Sequence, residues 1–181
     1  PRCEVAAIEV ATAAGNACTA ACLSSGSHAF TSRSAGYIIQ QPVPPGVMNR
    51  PPGPLVGAGF SNLPFSDVNR FKKAGFIPGS ASPGTLGSPI PLTSLNGIPG
   101  GLPLYKNNIL VGGIGVTGSG LEFPPTAFVD GYSKDEDIAL VGQLAFMPSP
   151  VILASDVFIR GISLPYVARS SCSSSSSVVS A

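Results

Sequence analysis

Prolines set the first limit on this chain. They stand at Pro42, Pro44, Pro45, Pro51, Pro52 and Pro54 and recur up to Pro99. Each proline removes a backbone donor and fixes φ, so no long helix or strand can run through that density. Residues 27–99 are therefore expected to be an extended, irregular segment. Phe60, Leu63, Phe65, Val68 and Phe71 anchor it to a core, a helical turn capped by Ser66 covers 66–71, and residues 79–87 form a loop tip. With 22 Gly and 19 Pro in 181 residues, the regular elements must lie at either side of this segment.

On the N-terminal side, residues 4–23 are rich in alanine. Val5, Ile8, Ala11, Cys18 and Cys22 fall near one stripe at helical spacing, so a helix is expected that stops at Ser24, Ser25 and Gly26. On the C-terminal side, residues 102–105 and 109–116 read as two strands joined across Asn107-Asn108, because asparagine tolerates the positive φ of a tight hairpin turn. In the second strand Ile114 and Val116 share one face and glycines the other. That face leaves room for a helix or a flat ligand. Ser133-Lys134-Asp135-Glu136 fits a capping box, followed by a helix whose expected buried side is Ile138, Ala139, Val141 and Gly142 and which ends at Pro148 and Pro150. One or two strands around Gly161 and a disordered serine-rich tail at 170–181 complete the reading.

Charge and hydropathy narrow the partners. Only 10% of residues are charged and the formal net charge is +1, which provides no footprint for nucleic acid or an anionic membrane. No apolar run approaches the ~20 residues of a helical span. The four cysteines Cys3, Cys18, Cys22 and Cys172 are too sparse for a disulfide scaffold and leave the compartment open.

The string GGLPLYKNNILVGGIGVTG, followed by KDEDIALVGQ, resembles the GlcG/HbpS-like haem-degrading family. The matching positions are Gly100, Gly101, Pro103, Leu104, Asn107, Val111, Gly112, Gly113, Ile114, Gly115, Val116, Thr117 and Gly118, with Asp135, Ile138 and Ala139 on the helix; Asn108 replaces the usual turn glycine. The resemblance implies an α/β (α+β) sandwich in which helices pack an antiparallel sheet, with residues 27–99 as a Pro/Gly-rich insert, and often a homo-oligomer. Its opening helix and first strand pair have no counterpart before Pro1, so 1–169 is expected to be one N-terminally incomplete domain. It also implies a haem or similar flat apolar ligand, bound or degraded in a slot between the glycine-faced hairpin and a helix. His28, the single imidazole, is then the candidate axial ligand, with Met48 and Met147 as alternatives. The competing expectation is a structural or oligomerisation module that keeps the fold without the cofactor.

Other constellations have simpler readings. Residues 113–118 satisfy GxGxxG, but Pro124 and Pro125 follow where a phosphate-binding helix should open. Cys3, Cys18, Cys22 and His28 could form a zinc set, against which stands the reading of small buried thiols in an alanine-rich helix. Asp130, Asp135, Glu136 and Asp137 are explained by helix capping, and Arg70, Lys72 and Lys73 by a solvated face. No Gly-x-Ser-x-Gly elbow precedes a helix.

Overall fold

The computed structural model describes residues 7–39, 43–44, 47, 49–56, 95, 97–118 and 131–168. The turn expected at 66–71, the loop at 79–87 and the tail at 170–181 lie outside these residues. The described part has a mixed α/β architecture. In chain order it comprises α1 (Ala7–Leu23), α2 (Ser32–Ile39), β1 (Gly101–Lys106), β2 (Ile109–Gly115), α3 (Lys134–Gln143), β3 (Phe158–Ile159) and β4 (Ile162–Ser163), with three short 3-10 turns between α3 and β3. β1 pairs with β2, and β3 with β4, each as an antiparallel two-stranded sheet.

The β1–β2 hairpin closes as the paired asparagines predict. Asn107 and Asn108 have φ of 52° and 63°, the two consecutive positive values of a type I′ turn. A register shift at Leu104/Tyr105 makes Val111 the extra residue of a bulge. Cross-strand partners share a face, so Gly101 with Gly115 and Pro103 with Gly113 lie on one side, and Leu102 with Ile114 on the other.

The glycine side is where α1 packs. A Cβ added to Gly101, Gly113 or Gly115 would run into the backbone carbonyl of Asn16, Ala17 or Ala13, respectively. Helix and hairpin are thus in backbone contact, which only residues without side chains allow. Asn16 Nδ2 donates to the Val116 carbonyl at 3.3 Å, and Tyr105 OH donates to the Ser25 carbonyl at 2.6 Å, pinning the middle of α1 and the segment just past its C-terminal end to the hairpin. The opposite face meets α3: Ile114 Cδ1 fills the space beside Gly142. The hairpin is a thin central layer between two helices.

The free edge of β1 is closed by side chains. Val116 N donates to the Gly100 carbonyl, so by the antiparallel alternation the polar groups of Gly101 and Pro103 point outward. Proline has no donor to leave open there. The Gly101 N–H donates to Ser32 Oγ at 2.8 Å, and the Pro103 carbonyl accepts from Gln143 Nε2.

Two local expectations are corrected. Within 27–99, residues 32–39 form α2, a fully buried helix, because the first proline comes only at Pro42 and Thr31 supplies a cap. The Thr31 hydroxyl accepts from Ser34 N at 3.1 Å while the Ser34 hydroxyl accepts from Thr31 N at 3.3 Å, a reciprocal capping box with serine in the third position. Around Gly161 the expected strands are short: β3 and β4 turn through Arg160 (φ 53°) and Gly161 (φ 80°), and the residues before them form 3-10 turns. Tyr37, Ile38, Ile39, Val43, Ala154 and Leu164 make a buried cluster that joins α2 to this C-terminal segment. A parallel bridge between Ala29 and Leu153 ties the same two regions.

The glycine contact gives a direct stability test. Gly115→Ala should lower the unfolding free energy by roughly 1–3 kcal/mol, the usual cost of overpacking. Gly112→Ala, whose Cβ would meet open space, should change it by about 0.5 kcal/mol or less. Urea unfolding of both variants checks this; equal effects would contradict the packing.

Candidate functional site

The first turns of α2 and α3 meet at a buried ion pair. Arg33 Nε donates to Glu136 Oε1 at 2.8 Å and Nη2 donates to Oε2 at 2.7 Å, with each side chain only 1% exposed. The remaining Arg33 capacity includes a 2.7 Å bond from Nη2 to the Gly131 carbonyl, and Ala168 N donates to Glu136 Oε2 at 3.3 Å. Burial pushes the Glu136 carboxyl above the usual carboxylate range, and the Arg33 guanidinium draws it back in part.

This pair sets the rotation of α3. Glu136, Ala139 and Gln143, spaced by three and four, face inward together with Asp135. The expected buried side is therefore corrected: Ala139 is buried, but Ile138 and Val141 are 57% and 68% exposed. Leu144 and Met147 continue the exposed stripe. The expected capping box is corrected as well. Ser133 is the N-cap by its extended φ and ψ, yet its hydroxyl makes no cap bond, and the Glu136 carboxylate is held by Arg33 instead of reaching back.

Beside this pair, hydroxyls at the start of α2 position a cleft. Thr31 Oγ1 donates to the Tyr166 carbonyl and Ser34 Oγ to the Pro165 carbonyl, both at 2.6 Å. The residues so fixed border a cavity of about 610 Å³ lined by Tyr37, Leu153, Ile162, Leu164, Pro165 and Tyr166, with Ser155 and Ser163 among its polar groups. Its volume is in the range of small-molecule sites, and its walls are mostly apolar. Tyr166 OH accepts from Gln143 Nε2 at 3.0 Å. Burial pushes its phenol up to about 12, so it stays protonated at neutral pH.

The residues singled out in the sequence are not gathered in one place. His28 is exposed in the loop after α1; its ring stacks on Phe30 with centroids 6.1 Å apart, and it does not line the cavity. It does precede Ala29, which bridges to the lining residue Leu153. Met147 is exposed and Met48 lies outside the described residues, as do Cys3, Cys172, Asp130, Arg70, Lys72 and Lys73. Cys18 is half-buried and Cys22 exposed, which corrects the reading of both as buried thiols. Among the residues of α1 whose side chains are described, Gly15, Asn16, Thr19 and Ala20 are buried. Among the described residues, no three His, Cys, Asp or Glu side chains are placed to hold a metal. No helix among them is long and apolar enough to cross a membrane.

One further correction concerns the hairpin. The slot expected beside its glycine face is filled by α1, so an apolar ligand has no room there. The same contact closes Gly113 and Gly115, two of the three glycines of the GxGxxG string, against helix backbone. The cavity itself was not foreseen: its walls come from short C-terminal segments whose apolar residues, Leu153, Ile162 and Leu164, carry no motif. The signal that was readable was the cluster Thr31-Ser32-Arg33-Ser34, three hydroxyls and a guanidinium ahead of an apolar run.

Comparison with known proteins adds no relative: no family model, no curated protein and no solved structure matches this chain.

Proposed function

We propose that this chain is a binding domain of the GlcG/HbpS type for haem or a similarly flat, apolar molecule, taken up in the cavity bordered by Tyr37, Ile162 and Tyr166. The observation that carries the reading is the cavity itself, large enough for a small molecule and walled mainly by apolar side chains. The resemblance is further supported by the packing it demands, a glycine-bearing hairpin held against the helix that begins at Lys134. Haem would supply an iron that needs an axial donor. The protonated Tyr166 phenol is a poor one, whereas the His28 imidazole is of the right type and would have to turn inward from its exposed place beside the Ala29–Leu153 bridge to reach the iron. Degradation of bound haem extends the same reading, tested by loss of the Soret band when reductant and oxygen are added.

Titration with hemin should give a saturable Soret shift. Ser155→Arg, which places a long cation at an exposed point of the cavity wall, and His28→Ala should each weaken binding roughly tenfold, about 1.4 kcal/mol. A shift that never saturates, or one indifferent to both substitutions, contradicts the proposal.

A second reading rests on a different observation, the exposed stripe Ile138, Val141, Leu144 and Met147. Ile138 and Val141 on α3, Leu144 on the 3-10 turn that follows it and Met147 just beyond are exposed apolar side chains along one short stretch of chain, the kind of surface that marks association. Under this reading a second copy of the chain covers it and the domain acts as an oligomerisation module. Light scattering on the eluting protein should give a mass above that of one chain, reduced to one chain by Val141→Asp. A monomeric parent protein at the same concentration contradicts it.

A further inference from the structure

α1 carries a feature that neither ligand binding nor association uses. Cys18 and Cys22 are four residues apart, so their side chains stand one above the other on the same side of the helix. Their sulfurs are 3.4 Å apart, in direct contact. Both thiols are free, Cys22 exposed and Cys18 half-buried. An i, i+4 pair has its Cα atoms separated by about 6 Å along the helix, within the window that a disulfide spans. Forming the bond requires the sulfurs to close from 3.4 Å to about 2.05 Å and the Cβ atoms, about 5–6 Å apart at this spacing, to approach within about 4.5 Å, so the last turns of α1 must tighten as the bond forms.

We propose that Cys18 and Cys22 form a dithiol redox site that exchanges with low-molecular-weight disulfides to give a reversible intrahelical disulfide. The two thiols have different parts. Cys22, open to solvent, attacks first: its sulfur bonds to one sulfur of the small disulfide, whose S–S bond breaks, and the departing thiolate takes up the proton that Cys22 gave up. The mixed disulfide on Cys22 then faces Cys18. Burial, together with the neighbouring Cys22 sulfur, raises the Cys18 thiol, which keeps it protonated and in reserve until the mixed disulfide lies beside it. Cys18 loses its proton, attacks the Cys22 sulfur and expels the second small thiol. Two protein thiols are oxidised, one small disulfide is reduced to two thiols, and the protons leave with those products. An excess of small thiol reverses the sequence, because the exposed Cys22 sulfur is open to attack.

The site is coupled to the fold through the end of its helix. α1 ends at Leu23, and Ser24 then clasps Phe30, accepting from Phe30 N at 2.9 Å and donating to Phe30 O at 3.1 Å. The Ser25 carbonyl accepts from Tyr105 OH on the hairpin. Tightening the turn from Cys18 to Cys22 pulls on this clasp and on the Tyr105 bond.

The test uses the full chain carrying Cys3→Ser and Cys172→Ser, treated with oxidised glutathione and read by intact mass. The pair should lose the mass of two hydrogens, with no glutathione retained and no free thiol left, and reduced glutathione should restore it. Adding Cys18→Ser should halt the reaction at a stable glutathione adduct, and adding Cys22→Ser should slow the first step roughly tenfold. A lasting adduct on Cys22 while Cys18 stays free overturns the proposal. So does a pair that fails to react where free thiols exchange. Circular dichroism of each variant shows that α1 and the fold are retained, so neither outcome can be assigned to unfolding.

Discussion

The Arg33–Glu136 pair is the constraint from which the arrangement of the described residues follows. Removing two charges from water is expensive, and only close, multiple hydrogen bonds offset the cost. Here the guanidinium meets the carboxylate through two nitrogens, and the Gly131 carbonyl and the Ala168 amide complete the cage. Four parts of the chain converge on the pair: the first turn of α2, residue 131 just ahead of α3, the first turn of α3 itself, and residue 168 near the end of the described segment. Once Glu136 points inward, helical geometry carries Ala139 and Gln143 inward with it. Gln143 then reaches the Pro103 carbonyl and the Tyr166 hydroxyl, linking the hairpin edge to the cavity wall. The apolar stripe from Ile138 to Met147 faces outward as a consequence of the same rotation.

The hairpin supplies the second constraint. Its glycines bring α1 to backbone contact on one face, leaving α3 to the other, so the central layer is only one strand pair deep. Among the described residues the cavity lies away from the glycines, between α2 and the C-terminal segment, where short 3-10 turns and a two-residue hairpin cannot fill every gap. The hydroxyls of Thr31 and Ser34 shape that region with economy. Each accepts a backbone amide to cap α2 and donates to a carbonyl of Pro165 or Tyr166, satisfying both sides at once.

How much of this the sequence reveals depends on whether a signal is local. The Asn107-Asn108 turn, the glycine alternation of β2 and the stop at Ser24 are decided by backbone preferences of a few residues, and each is found where it was expected. The orientation of α3 is decided by a partner 103 residues away in sequence, which no helical periodicity encodes; Ile138 and Val141 look like a buried stripe until Arg33 claims Glu136. α2 was hidden for a related reason, since the prolines that begin at Pro42 dominate the reading of its neighbourhood, while its cap uses Ser34 where glutamate or glutamine is the usual mark. The cavity is the least legible feature. It is assembled from isolated apolar residues on short segments, and His28, which the sequence puts forward, stands next to its wall and not within it.

A double-mutant cycle on the ion pair tests the account at its root. Arg33→Met alone, leaving a buried carboxylate without its cation, should cost about 3–5 kcal/mol in unfolding free energy. Arg33→Met combined with Glu136→Leu should be less destabilised than Arg33→Met alone, because the pair of apolar side chains removes the stranded charge. Single substitutions that each cost little and simply add would contradict the claim that this pair orients α3.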